Sequence, residues 1–174
     1  MPYYPPAVID TSYRTLLDVS GSRTAGVVAS TASIDSGVAI TANGANQATP
    51  PSSIHIVGAD YPLLNGVAPK LRIRAMLYVN NVAPTGNFTL GLYPITRPAS
   101  SGGTGVCIYT IGTVVPGSNG ATFTTPAADG LLGAVGADFA MPADGHYVIG
   151  VVTTTTQAAS SHVHLIAYLQ MRYL

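Results

Sequence analysis

Four histidines are the side chains whose types and spacing come nearest to a metal site in this sequence. His162 and His164 occur in the segment HVHLIAYLQMRYL, whose alternating pattern predicts a β-strand. Residues i and i+2 of a strand project from the same face, so both imidazoles are available to one ion. Two ligands do not complete a zinc site, and a third would have to come from His55, His146, a carboxylate or a neighbouring subunit. We therefore predict no metal site and interpret the pair as polar residues of a sheet face or a subunit interface.

Other residue types that carry catalysis occur in structural contexts. Asp129 and Asp144 both lie in Ala-Asp-Gly sequences, where the carboxylate typically binds its own backbone in a turn. A pair of glycosidase carboxylates would have to face each other across a substrate. Cys107 is the single cysteine, which excludes an intrachain disulfide and favours a small buried strand residue. The sequence contains no nucleophile-elbow or metalloprotease motif. We predict neither an enzyme nor a cofactor.

The low charge content argues against two classes of partner. Charged residues make up 8% of the 174 residues, and Lys+Arg and Asp+Glu both number 7. The densest basic group is Lys70, Arg72 and Arg74, and three cations on one strand are typical of a solvated or edge-protecting face. No stretch reaches the roughly 20 apolar residues of a membrane helix. We expect neither nucleic acid nor a membrane as partner.

Hydrophobic residues nevertheless make up 47% of the chain, and its mean hydropathy is positive. This apolar character is spread along alternating segments. A solitary domain with so few charges would tend to associate, whereas an oligomer buries part of that surface permanently. We therefore expect subunit interfaces to take up the excess.

The strongest element that could position any site is the stretch from Lys70 to Ile95. Its first half alternates, with Leu71, Ile73, Ala75, Leu77 and Val79 on one strand face and Lys70, Arg72, Arg74 and Tyr78 on the other. A turn containing Pro84 and Gly86 follows. Phe88, Leu90 and Leu92 then resume the alternation, which predicts a β-hairpin or a crossing between two sheets.

Turn sequences divide the rest of the chain into short segments. Val106–Val115 and Ala121–Thr125 are predicted to form a second hairpin, and the leucines within Ala127–Phe139 allow one helical turn. About eight strands with long irregular loops favour an all-β, two-sheet antiparallel β-sandwich of jelly-roll type, with an immunoglobulin-like sandwich as the next choice. We assign residues 22–174 to this domain.

Residues 1–21 have the composition of an extended N-terminal arm. Prolines keep the first residues extended, and tyrosines offer large amphipathic contact areas. The alternatives are a disordered terminus and a strand packed on its own domain. The candidate partner-binding residues of the arm are Tyr3, Tyr4, Pro5, Pro6, Tyr13 and Arg14.

Four segments carry a resemblance to a known family. These segments are similar to segments of the small capsid decoration, or cement, proteins of tailed bacteriophages. They read APKLRIRAMLYVNN, NFTLGLYPI, MPADGHYVIGVV and HVHLIAYLQMRYL. The similarity covers roughly Tyr61 to Leu174 and consists of strands and turns. Such proteins are typically jelly-roll trimers on the outside of the capsid, where they tie neighbouring major capsid proteins together.

The resemblance implies a virion structural protein with the major capsid protein and two further copies of itself as partners. Its location would be the capsid exterior, after assembly in the host cytoplasm, and the arm would act as a clamp. The family supplies no catalytic residue. The alternative is a receptor- or glycan-binding module, such as a tail-fibre tip or a lectin-like sandwich, for which exposed loop aromatics would be expected.

Overall fold

The structure, a computed structural model, describes eight parts of the chain, and all of them except one short helix are strands, turns and connections. The described residues are 12–24, 39–40, 46–47, 53–81, 87–96, 109–124, 130–153 and 161–173. The strands are β1 (Arg14–Thr24), β2 (Ala39–Ile40), β3 (Asn46–Gln47), β4 (Ser53–Ile56), β5 (Pro69–Asn81), β6 (Asn87–Thr96), β7 (Tyr109–Ile111), β8 (Ala121–Thr124), β9 (Gly130–Val135), β10 (Phe139–Ala140), β11 (Gly145–Thr153) and β12 (Ser161–Tyr173). The helix is a single 3₁₀ turn, Gly58–Asp60.

The strands form two sheets that pack against each other, which confirms the predicted two-sheet β-sandwich. The five-stranded sheet has the order β1-β12-β5, with β9 and β10 both along the far edge of β5. In the seven-stranded sheet, β4 and β2 pair with one edge of β11, and β6 pairs with its other edge. The strands β8 and β7 both pair with β6, and β3 pairs with β7. The described pairs are antiparallel except for two residues of β2 beside β11.

The core lies between the sheets and follows the alternation in the sequence. On β5, Leu71, Ile73, Ala75 and Leu77 are at most 1% exposed. Phe88, Leu90 and Leu92 of β6 meet them from the opposite sheet and are fully buried. Because β5 and β6 belong to different sheets, the central stretch is a sheet-to-sheet crossing rather than a hairpin. The last strand contributes Leu165, Ala167, Leu169 and Met171 to the same core.

Two of the local predictions are wrong. The strands β7 and β8 do not form a hairpin with each other, because both pair with β6, β8 at Asn87–Leu90 and β7 at its last two residues. The expected helical turn between residues 127 and 139 is instead the strand β9, which pairs with β5.

The expected arm boundary falls inside a strand. Residues 14–21 of the predicted arm belong to β1, which pairs with β12 along an edge of the five-stranded sheet. A bulge between Thr15 and Leu17 interrupts this pairing. Residues 1–11 lie outside the described residues. The part of the arm that the structure describes is therefore a strand on its own domain.

A second, smaller apolar cluster lies on the face of the seven-stranded sheet that points away from the main core. It consists of the buried residues Tyr93, Ile111 and Val148, with Ile95 and Val114 partly buried against them. Val114 belongs to the segment that follows β7, and this segment is held along β6 by backbone hydrogen bonds. The outer side of this sheet is thus partly covered by the chain itself.

Candidate interaction surface

The outer face of the five-stranded sheet, the side that points away from the core, carries the cations of β5 and several exposed apolar side chains. The predicted outward residues of β5 are Lys70 and Arg74, which are exposed, and Arg72, which is half-buried. At one end of the face lies a cluster of charged and aromatic side chains. Toward the other end lies an apolar patch. The two regions differ in chemistry.

The polar cluster is built around Tyr13, immediately before β1. Its hydroxyl donates a hydrogen bond of 2.6 Å to Asp138 Oδ1. Its ring lies 3.2 Å from the guanidinium carbon of Arg72 and 4.4 Å from that of Arg172, so two cations contact one aromatic ring. Arg172 also donates from Nη2 and Nε to Asp138 Oδ2, at 2.6 and 3.0 Å. Gln170 accepts a hydrogen bond of 2.9 Å from Arg72 Nε.

The electrostatics of the cluster keep its groups in complementary protonation states. Burial raises the pKa of Asp138, but the hydrogen bonds from Tyr13 and Arg172 and the nearby positive charges outweigh it, leaving the pKa below its usual value. Burial, followed by the hydrogen bond to Asp138, raises the pKa of Tyr13. At neutral pH the carboxylate is therefore charged and the phenol is a donor, as the geometry requires.

The cluster shows where the described candidate partner-binding residues lie. Tyr13 is bound to its own domain through Asp138, Arg72 and Arg172. The side chain of Arg14 is exposed. Tyr3, Tyr4, Pro5 and Pro6 lie outside the described residues. Sequence reasoning did not identify Asp138 or Arg172 as functional, because they are far from Tyr13 along the chain.

The apolar patch consists of Tyr78 and Met76 of β5 with Leu131 and Val135 of β9. Leu131 is 69% exposed, Val135 55% and Tyr78 45%, and among the described residues the fourth large apolar side chain with such exposure is Leu63 in a loop. In the pairing of the two strands, Leu131 lies opposite Tyr78 and Val135 opposite Arg74. The exposed apolar area of the described chain is thus concentrated on one edge of one face.

An open groove of about 420 Å³ runs along this edge, between Leu131 and Val135. It exists because Gly133, opposite Met76, carries no side chain, and a Cβ built on it would have no other atom within 4 Å. Sequence reasoning missed the patch because the leucines of this segment were assigned to a helical turn. The segment GLLGAV has two adjacent leucines and no alternation of apolar and polar residues, so it gave no clear signal for a strand.

The histidines are divided between the two sheets. His164 is half-buried on the outer face of the five-stranded sheet, and the side chain of His162 lies outside the described part. His55 of β4 and His146 of β11 are exposed partners in the seven-stranded sheet. They therefore lie on the opposite side of the sandwich and do not complete a site with His164. In the described parts of the chain, no three residues of the His, Cys, Asp and Glu types are grouped to hold a metal ion.

Comparison of the chain with protein-family models, with curated proteins and with solved structures gave no match. No helix in the described ranges is both long and apolar enough to cross a membrane.

Proposed function

We propose that this protein is a structural component of a virion, a cement protein that binds the major capsid proteins of a tailed phage as a homotrimer. The observation that carries the proposal is the apolar patch on the outer face of the five-stranded sheet. Large contiguous apolar surfaces on a protein with few charges are typical of subunit interfaces. The resemblance of the strand segments to phage decoration proteins points to the same class of assembly.

The strand order supports the jelly-roll part of the proposal. A jelly roll has eight strands. To compare the orders, we number eight strands of this chain one to eight in chain order: β1, β4, β5, β6, β8, β9, β11 and β12. One sheet then has the order 1-8-3-6 and the other 2-7-4-5. In both sheets the early and late strands of the chain are neighbours, the arrangement that two successive Greek keys produce in a jelly roll.

Charges on the same face support association with further copies of the chain. Across the sheet, Val135, Arg74, Tyr168 and Asp18 lie in one row of paired positions. Arg74 and Asp18 are exposed at either side of Tyr168 and form no ion pair within the described residues. In a closed ring of three, one edge of a subunit meets a different edge of the next. The apolar β9 edge, with Arg74 of β5 beside it, would then meet the β1 edge at the position of Asp18.

We assign the capsid contact to residues at and ahead of the start of β1. Because Tyr13 is held by its own domain, the candidate contacts that remain are Tyr3, Tyr4, Pro5 and Pro6 of residues 1–11 together with Arg14, which is exposed at the start of β1. Their tyrosines suit an apolar or backbone-mediated contact, such as added strand pairing on a shell protein. The hydrogen bond from Tyr13 to Asp138 would fix the point from which this segment leaves the domain.

The oligomer is tested by light scattering on the purified chain and on Leu131→Asp/Val135→Asp. We expect a trimer for the unchanged chain and monomers for the double variant, because carboxylates in a dry interface cost several kcal/mol when unpaired. Leu63→Asp is the matched control, since Leu63 is 65% exposed but lies outside the patch. It should remain trimeric. A monomeric unchanged chain, or a double variant that stays trimeric, would contradict the assignment.

The capsid contact is tested by co-sedimentation with capsids that lack the protein, using the full chain and a chain without residues 1–11. We expect the full chain to sediment with the capsids and the shortened trimer to remain in solution. No binding by the full chain, together with specific signals on a glycan array, would overturn the proposal. That result would favour the receptor- or glycan-binding module.

A further inference from the structure

His55 and His146 form a close pair on the outer face of the seven-stranded sheet, far from the surface assigned to assembly. They are directly opposite each other where β4 pairs with β11. Their rings are stacked with centroids 4.3 Å apart and an interplanar angle of 11°. Both side chains are exposed. Two imidazoles are thus presented side by side to solvent from two different strands.

From this geometry we propose that the pair binds a divalent transition-metal ion, such as Ni²⁺ or Cu²⁺, through one nitrogen of each ring. Imidazole is a preferred ligand of these ions, which bind an unprotonated nitrogen of the ring. The site has two protein ligands, and water fills the remaining positions. It is independent of the function proposed above.

Only a small movement is needed to bring both nitrogens to one ion. Metal–nitrogen distances of about 2.0–2.1 Å place two adjacent ligands about 2.9 Å apart in the square-planar or tetragonal geometry of Ni²⁺ and Cu²⁺. The ring centroids are 4.3 Å apart, so the rings must tilt toward each other at one edge. Rotation about the second side-chain torsion of histidine has a broad, shallow profile, and exposed rings are free to make it. The paired strands hold the two Cα atoms in place meanwhile.

The surroundings of the pair do not oppose a cation. The described residues at neighbouring outward positions are Ser53 and Val148 in one direction and Ile95 beside His146, and none is charged. The nearest acidic residue along the chain is Asp144, whose Oδ1 accepts a 2.7 Å hydrogen bond from the Gly58 amide. A carboxylate two residues from His146 favours a nearby cation electrostatically. The site is therefore uncharged at its rim, with one carboxylate close by in sequence.

A bound ion would cross-link β4 and β11 at an edge of the sandwich. The strand β4 has four residues and lies at the edge of its sheet beside β11. An ion held by one residue of each strand stabilises their pairing, because the ligands come together only when the strands do. With Cys107 as the single cysteine, the chain has no intrachain disulfide to serve this purpose.

The test is calorimetric titration of the full chain, freed of metal by chelation, with Ni²⁺ alone. We expect one ion per chain, and binding about a hundredfold weaker in His55→Ala or in His146→Ala, because each variant loses the second ligand of a chelate. His164→Ala, on the other side of the sandwich, is the matched control and should bind as the unchanged chain does. Equal weakening in all three variants, or none in any, would overturn the proposal.

A second measurement does not depend on the folding of a variant. Paramagnetic Ni²⁺ broadens the nuclear magnetic resonance signals of the imidazoles that bind it. In the unchanged chain, the ring signals of His55 and His146 should broaden together at the lowest Ni²⁺ concentrations, before those of His164. Broadening that begins at any other residue, or the absence of broadening at the pair, would refute the site.

Discussion

Replacing Asp138 by Asn tests whether the polar cluster holds the start of β1 to the domain. The carboxylate accepts three hydrogen bonds, one from Tyr13 and two from Arg172, and it is 18% exposed, while Arg172 is 26% exposed. Fully exposed ion pairs contribute about 0–1 kcal/mol, whereas breaking a buried pair costs about 3–5 kcal/mol. The cluster lies between these limits. We expect Asp138→Asn to lower the free energy of unfolding by about 2 kcal/mol, because the amide retains the shape but loses the charge.

The assay is thermal unfolding at a fixed protein concentration, since the stability of the proposed trimer would depend on concentration. For a chain of this length, a loss of about 2 kcal/mol lowers Tm by about 4–8 °C. Tyr13→Phe keeps the ring between Arg72 and Arg172 but removes the hydroxyl, and it should cost about 1 kcal/mol. The two changes share one hydrogen bond, so the double variant should lose less than the sum.

The pH dependence provides a sharper check on the cause. The pKa of Asp138 is lowered from 3.8 in the folded protein. A carboxyl with a depressed folded pKa stabilises the protein above its unfolded pKa, and this stabilisation is lost as pH falls through the folded value. The difference between the unchanged chain and Asp138→Asn should therefore be full near neutral pH and shrink in acid below about pH 4.

Asp60→Asn serves as the control for these measurements, because Asp60 is exposed and forms no ion pair in the described part of the chain. It should leave Tm unchanged within about 2 °C. The reasoning fails if Asp138→Asn unfolds like the unchanged chain at neutral pH. It also fails if the difference persists undiminished in acid, or if the losses from Tyr13→Phe and Asp138→Asn simply add.

Three further substitutions test how the seven-stranded sheet is packed. Ser118 is buried and accepts a 2.9 Å hydrogen bond from the Leu92 amide. Ser118→Ala leaves that amide unpaired and should lower the free energy of unfolding by about 1–3 kcal/mol in denaturant. An unchanged denaturant midpoint would contradict this. A Cβ on Gly91 would lie 2.7 Å from Val114 Cγ2, so Gly91→Ala should cost about 1–3 kcal/mol, whereas Gly145→Ala, whose Cβ would meet its nearest neighbour Tyr147 at 3.5 Å, should be within about 1 kcal/mol of neutral. Equal losses from the two glycine variants would show that the close packing of Val114 on β6 is wrong.

The long strands could be predicted from the sequence because their periodicity matches their burial. On β5, every second residue from Leu71 to Leu77 is apolar and buried, and β12 repeats the pattern from Leu165. A strand with one buried face leaves this signal whatever its neighbours are. The two-sheet architecture follows from several such strands.

Pairing between segments was harder to predict. The ten-residue β6 is long enough for two short strands, β7 and β8, to pair with it in succession, and this competes with the hairpin that chain proximity favours. On β9, Leu132 and Ala134 lie on the side that packs against the core, while Leu131 and Val135 on the other side are exposed. Apolar residues on both faces remove the usual alternation between apolar and polar positions, so the segment has no clear strand signal.

The side-chain groupings also had no local signal. Tyr13 and Asp138 are separated by 125 positions, and their contact exists only because β1 pairs with β12 and the segment after β9 returns beside it. His55 and His146 are brought together in the same way by β4 and β11. Residue types suggested contact and metal-binding chemistry, but only the register of the strands decides which residues meet.

The contrast between the two outer faces favours one of them as the assembly surface. On the seven-stranded sheet, the cluster of Tyr93, Ile111 and Val148 is buried, in part by Val114 of the same chain. On the five-stranded sheet, the apolar patch has no such second layer in the described ranges, and Leu131 is 69% exposed. Burying apolar side chains of this size contributes about 1.5–3 kcal/mol each. The gain still available to the protein from association therefore lies on the five-stranded sheet, the surface that the proposed trimer uses.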